Sequence, residues 1–245
     1  VTNAHAIVRG EMPDLGCRTG DFFFLEQPDA FAQQRLVVDL VSRRLPKSYG
    51  YDPLRDIQVI TPAKQGPLGT RELNRLLQGK LNPPERGKGE ATLMGRTLRE
   101  GDKVMQIRNN YDIIWQQPDG TAGTGIFNGD MGIIEMLDPG SKTIQVRFEE
   151  KLATYSFENQ DQLEHAYAVT VHKSQGSEFE AVVMPLERRH PKLHYRNLLY
   201  TAVTRARKLL IMTGQKETVY AMVQNNRRTL RYTNQKEMLQ EMCDE

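Results

Sequence analysis

Two segments constrain this chain most: 166–185, AYAVTVHKSQGSEFEAVVMP, and 198–214, LLYTAVTRARKLLIMTG. Each joins apolar strand sequence to a cluster of phosphate-seeking side chains. Together they predict a strand at 167–171, a helix starting near Ser174, a strand at 181–185, a helix over 195–205 and a strand at 209–213. Strands alternating with helices in this way belong to a parallel sheet, with ligands met at the carboxyl ends of its strands. A second stretch has the same texture. Over 28–45 the apolar residues Phe31, Val37, Leu40, Val41 and Leu45 recur at helical spacing, opposite Arg35, Asp39 and Arg43. Then 57–61, IQVIT, reads as a strand, followed by the loop PAKQGPLG and a helix with Leu73, Leu76, Leu77 and Leu81 in one stripe.

Between about 83 and 165 the pattern changes to short alternating strands, at 103–107, 132–137 and 144–148, with turn signals at 118–120, 128–130 and 138–140. This predicts a small β barrel, and 82–89, NPPERGKG, has the composition of a linker into it. The α/β part is therefore expected to be discontinuous, 1–84 and 164–245, with the β module inserted at 85–163. After Lys216 a helix and then a polar, partly mobile end are expected.

Composition excludes more than it assigns. The net charge of +2 permits a nucleic-acid partner without demanding one. Cys17 and Cys243 stand far apart with no CxxC or Cys/His spacing, which argues against a zinc site or a disulfide framework and fits a reducing, cytoplasmic setting. No apolar run approaches the roughly 20 residues of a membrane helix, and no signal-peptide pattern opens the chain. Val1 is not a methionine, and 2–12 reads as helix already under way, so a piece of a longer chain is expected.

The polar clusters carry the chemistry. His172, Lys173, Ser174 and Gln175 can donate to phosphate or a base edge, Gly176 lets the backbone approach a ligand, and Glu178 can accept from a ribose hydroxyl. The same residues fit a plain polar loop with a helix cap at Ser174. Arg205, in the final turn of the 195–205 helix, is placed to stabilise charge growing on a phosphoryl group, as an arginine finger does. Arg207 and Lys208 are read as cations complementing the helix carboxyl end. The loop 61–69, TPAKQGPLG, lies between strand and helix as a phosphate loop would, but lacks the Lys-Ser/Thr pair. The whole chain contains no GxxxxGK[ST] and no strand ending in paired acids. Lys64 and Gln65 could touch a nucleic-acid backbone or lie in a solvated loop. The histidines His5, His165, His190 and His194 are read as structural or solvent-exposed. In the β module, Asn110, Tyr111, Trp115 and Phe127 with Arg108 suit base stacking, or form the module's own core.

On these residues a family resemblance rests. HKSQGSEFEAVV resembles motif V and YTAVTRARKLLIM motif VI of superfamily 1 helicases, and the chain is most similar to RecD-like proteins, the exodeoxyribonuclease V α subunit family. NAHAIVRGEMP, ITPAKQGPLGTRELNRLLQGKLNP and GIFNGDMGII resemble further segments of that family. The resemblance implies a RecA-like second motor domain (2A) with an inserted SH3-like β-barrel (2B). It implies ATP with Mg²⁺, and 5′ to 3′ movement on single-stranded DNA. By it Arg205 matches the arginine that contacts the γ-phosphate, and Gln175, Gly176 and Glu178 fall at the nucleotide. Thr170, His172, Lys173 and Ser174 fall at DNA, with Thr61 and Lys64 near its backbone. The implied partners are single-stranded DNA, an N-terminal RecA-like domain of the same chain, and other exodeoxyribonuclease V subunits, in DNA recombination and repair. Lacking a phosphate loop, the chain alone is expected neither to hold ATP stably nor to hydrolyse it. The alternative is a non-enzymatic DNA-binding or complex-assembly module that keeps the helicase half-fold.

Overall fold

The computed structural model describes residues 2–226 except Arg18, Met94 and His190; Cys243 and the polar end of the chain lie outside the described residues. The chain opens with α1 (Thr2–Arg9) and β1 (Phe22–Glu26), followed by α2 (Ala30–Asp39), a π turn at Leu40–Arg44 and α3 (Leu45–Tyr49). Next come β2 (Ile57–Thr61) and α4 (Thr70–Leu81). The β module runs through β3 (Glu90–Leu93), β4 (Arg96–Arg99), β5 (Lys103–Gln106), β6 (Asn110–Gln116), β7 (Ala122–Ile126), β8 (Met131–Asp138), β9 (Thr143–Phe148), β10 (Lys151–Ser156) and β11 (Leu163–His165). The chain returns with β12 (Ala168–Thr170), β13 (Phe179–Pro185), α5 (Arg196–Val203), β14 (Ala206–Gly214) and α6 (Lys216–Gln224).

The first sheet has the order β1-β14-β13-β2-β12, and every pair in it is parallel. Its strands are apolar on both faces because both are covered. Val182, Met184, Leu210 and Met212 pack with residues of α1, α5 and α6, such as Ile7, Leu199 and Val219. Their neighbours Ala181, Val183, Leu209 and Ile211 point the other way, onto Val37, Leu40, Leu73 and Leu77 of the α2–α4 layer. The side-chain period of two along each strand thus feeds two cores. Leu73 and Leu77 are fully buried, each stabilising the fold by roughly 1.5–3 kcal/mol through leaving water. The edge strand β1, FFFLE, is not foreseen by the sequence reading; three aromatics in a row lack the alternation that marks a half-buried strand.

The second sheet is antiparallel, in the order β11-β5-β8-β9-β10-β6-β7. Ile113 and Ile126 from one end of that order share a core with Val104 and Leu163 from the other, so the sheet curls around its own interior. The chain enters this module after α4 and leaves it after β11, so two crossings join it to the parallel sheet.

Two local expectations need correction. No α-helix starts at Ser174: His172–Ser174 forms a single 3₁₀ turn, and the Ser174 hydroxyl donates back to the Val171 carbonyl at 2.8 Å instead of capping a helix. α5 ends at Val203, so Arg205 follows the helix, and Arg207 and Lys208 lie in β14. Strand pairing of Phe179 with Ala206 wins over another helical turn.

Lys103 sends its buried ammonium to the Ile57 carbonyl at 3.3 Å. Burial lowers its pKa to about 8, against the pull of Asp52 and Asp56. Such a depressed ammonium costs stability while it is charged, so stability should rise as pH climbs from about 8 toward the unfolded lysine value of ~10.4. Lys103→Met is expected to raise the unfolding free energy at pH 7 by on the order of 2–3 kcal/mol and to flatten that rise. Denaturant titrations across this pH range in which variant and parent track each other would refute a charge penalty.

Candidate nucleic-acid interface

β2 and β12 end level with each other, with Thr61 opposite Thr170. Both threonines are buried. The Thr61 hydroxyl donates to the Leu68 carbonyl at 2.7 Å and ties down the loop that follows, while Thr170 Oγ1 accepts from the Lys173 amide at 3.3 Å. Their side chains therefore shape the surface from beneath. The loop closes tightly over α4: the amides of Gly69, Thr70 and Arg71 donate to the carbonyls of Gly66, Ala63 and Lys64. A phosphate cradle leaves such helix-start amides free for the anion. Here the loop's own carbonyls occupy them. Gly69 is required, because a Cβ there would stand 2.5 Å from the Gln65 backbone. Lys64 and Gln65 are left exposed at the tip.

This loop forms one side of a groove of about 1280 Å³ between the parallel sheet's helices and the β module. Phe31, Lys64, Arg71, Arg75, Thr170 and Lys173 line the first side; Arg96, Arg99, Glu164 and His165 line the second. Most of its cations are engaged. Arg75 pairs with Glu72 at 2.6 Å, Lys173 with Glu164 at 2.6 Å and Arg99 with Glu90, and Arg96 donates to the Leu163 carbonyl at 2.9 Å. Among the described residues lining the groove, Lys64 and Arg71 are the cations with no side-chain partner.

The other candidates gather at the amino ends of β13 and β14. Gly176 has φ +87°, and open space surrounds the position of its absent Cβ. Gln175, Gly176 and Glu178 are exposed around it. Arg205 is stapled to this loop. Its Nη1 donates to the Ser177 carbonyl at 3.0 Å, its Nε to the Thr201 carbonyl at 3.0 Å and its Nη2 to the Thr204 hydroxyl at 3.1 Å. Two of the guanidinium's five N–H donors remain. Glu178 pairs with Arg207 at 3.1 Å and Glu180 with Lys208 at 2.7 Å, so these two cations tie β14 to β13 and the loop before it and do not serve a helix end. His172 is exposed and shares a hydrogen bond with the Tyr195 hydroxyl at 3.3 Å, and Ser174 is buried. Burial raises the Tyr195 phenol's pKa.

Within the β module, Arg108 pairs with Asp161 at 3.0 Å and Asn110 donates to Gln162 at 3.0 Å, so neither is spare. Tyr111 and Phe127 are exposed and meet edge to face at 5.7 Å, whereas Trp115 lies against Gly123 and beneath the Lys151 ammonium at 4.8 Å. Sequence reasoning missed Phe31, Arg71, Arg96, Arg99 and His165 as groove residues. Arg71 alone had a local signal, an exposed cation in the first turn of a helix after a polar loop.

Two family models match the chain. One, described as the SH3 domain of ATP-dependent RecD-like DNA helicases, matches 73–148, and the other, the UvrD-like helicase C-terminal domain, matches 165–213. The chain is 33% identical over 211 residues to the ATP-dependent RecD2 DNA helicase of Deinococcus radiodurans, covering 86% of this chain and 26% of that protein. It is 26% identical over 172 residues to the RecBCD enzyme subunit RecD of Buchnera aphidicola, covering 69% of this chain and 26% of that subunit. It thus spans about a quarter of the length of these relatives. A Pif1 helicase from Bacteroides in complex with ADP-AlF3 and ssDNA aligns with 99% of this chain and 53% of its own at a TM-score of 0.48 and 15% identity. An α/β layer carrying the matched UvrD-like segment, with an SH3-like barrel set into it, is the architecture expected from the motifs, and the chain belongs to the RecD-like family of DNA helicases.

Proposed function

We propose that this chain supplies the second motor domain of an ATP-dependent helicase that moves 5′ to 3′ along single-stranded DNA. The observation that carries the reading is the separation of two sites on one sheet. At the carboxyl ends of β2 and β12 a groove presents the unpaired Lys64 and Arg71. At the amino ends of β13 and β14, Arg205 is held against the Gly176 loop with donors to spare. The groove side holds the strand's phosphates, with Thr61, Thr170 and Lys173 shaping it and His172 at its margin. Arg205 meets the γ-phosphate, and Gln175, Gly176 and Glu178 border the nucleotide.

ATP supplies the phosphoryl group whose transfer drives movement, and Mg²⁺ neutralises its charge. This chain's residues fit only one side of that site. The lysine and hydroxyl of a GxxxxGK[ST] loop are not in the sequence, so a phosphate-loop domain has to face Arg205. The similarity to RecD subunits of the RecBCD enzyme supports companion subunits as a further setting for the same groove.

Binding of a labelled oligothymidylate by the 245-residue chain tests the groove. The expected result is binding that weakens steeply between about 50 and 200 mM salt, with weaker binding of blunt duplex. Affinity that is flat with salt would count against a phosphate-tracking groove.

A further inference from the structure

Asp102, the residue before β5, is fully buried. Its carboxylate accepts from the Tyr167 hydroxyl at 2.8 Å, Asn82 Nδ2 at 2.6 Å, Gln78 Nε2 at 2.8 Å and the Arg99 amide at 2.8 Å. His165 Nε2 lies 3.1 Å away. These partners come from the three parts of the chain that meet here: α4 with its C-terminal cap, the β3–β4 hairpin, and the return from β11 to β12. Burial by itself raises this carboxyl's pKa, but His165, Asn82 and the Arg99 amide outweigh it and hold the group below the usual carboxylate range. An anion so placed sits where both crossings between sheet and β module converge. Lys103, the next residue, anchors the module on its other side, at the Ile57 carbonyl. Gln78, Arg99 and His165 also line the groove, so the network is part of its floor.

We propose that Asp102 is a positioning residue for strand binding: its buried carboxylate pins the barrel against α4, so that the Arg96 and Arg99 side of the groove stands at a fixed distance from Lys64 and Arg71. The role rests on the groove being the strand's track. A carboxylate with five polar neighbours tolerates no small rotation of the barrel, because any rotation leaves a buried donor without its acceptor. Asp102→Asn keeps the shape but turns two acceptor oxygens into one acceptor and one donor group facing other donors. Rigid spacing then turns into a range of spacings, and a strand held by Lys64 and Arg71 loses the facing charge of Arg96, whose partner is a neutral carbonyl.

The test uses the 245-residue chain with Cys17→Ser and Cys243→Ser, and spin labels at the exposed positions Ser48→Cys and Asp119→Cys. The parent is expected to give one narrow distance distribution. Asp102→Asn should broaden it and weaken oligothymidylate binding roughly tenfold, the loss of one or two phosphate contacts. If Asp102→Asn does not fold, His165→Phe and Gln78→Met each delete one neighbour and should broaden the distribution less and weaken binding severalfold. An unchanged distribution in a folded variant, or broadening with unchanged affinity, overturns the proposal. Lys64→Ala with Arg71→Ala distinguishes the two levels. If that pair binds strand as the parent does, the groove reading itself fails; if it loses affinity while Asp102→Asn keeps it, only the positioning role fails.

Discussion

Arg205→Ala, made in a protein that joins this chain to a phosphate-loop domain, is expected to lower DNA-stimulated ATP turnover by about 10³-fold or more, the usual worth of an arginine finger. The loss should fall on turnover and not on strand affinity, because the groove residues lie at the opposite end of the sheet. The geometry sharpens the expectation. Arg205 uses three donors to hold Ser177, Thr201 and Thr204, which fixes the guanidinium without exhausting it. A preorganised donor pair aimed at growing charge acts in the transition state and costs no rearrangement when the reaction occurs. Arg205→Lys keeps the charge but loses the planar fork, and should recover little of the rate. Because the alanine variant also removes the staple to Ser177, nucleotide affinity and thermal stability are measured alongside. Equal turnover in parent and variant would remove Arg205 from the chemistry; loss of turnover matched by loss of folding would reduce it to a structural residue.

Lys64→Ala with Arg71→Ala is expected to weaken oligothymidylate binding roughly tenfold at 0.15 M salt and to reduce the slope of log affinity against log salt by about 1.4, two contacts at about 0.7 each. These two cations are singled out because their neighbours are already engaged. Arg75, Arg99 and Lys173 each face a carboxylate that offsets their charge, so a strand would have to break an ion pair to use them. Alanine at Arg75 alone should therefore change the slope less than alanine at Arg71. Equal slopes in parent and double variant would place the phosphates elsewhere on the molecule.

Much of the fold was legible because its strands are buried on both sides. The run after HKSQGSEFE is continuously apolar and IQVIT is buried at every position, as a doubly covered parallel strand requires. The insertion showed itself as a change of period bounded by NPPERGKG. What the sequence could not show was set by pairing over distance. Ser174 begins no helix because the chain needs its hydroxyl at Val171 and must reach Phe179 within a few residues. Arg207 and Lys208 are strand residues because Glu178, just before β13, and Glu180, on it, stand beside them. The candidate site followed the same rule. Lys64, Thr170 and Arg205 stood in readable local patterns. Phe31, Arg96, Arg99 and His165 join the groove only when α2 and the barrel close on α4, and no local pattern marks that approach. Asp102 was silent for a like reason: a single acid at the end of a turn gains its five neighbours from segments as far away as Gln78 and Tyr167.

The decisive measurement is ATP turnover by the purified 245-residue chain with Mg²⁺ and saturating oligothymidylate, made beside a binding titration of the same preparation. The predicted result is salt-sensitive strand binding with no hydrolysis above buffer, because Arg205 has no phosphate-loop lysine to face. Turnover that scales with chain concentration, persists through further purification and disappears in Arg205→Ala would contradict it, since this chain would then carry a complete nucleotide site.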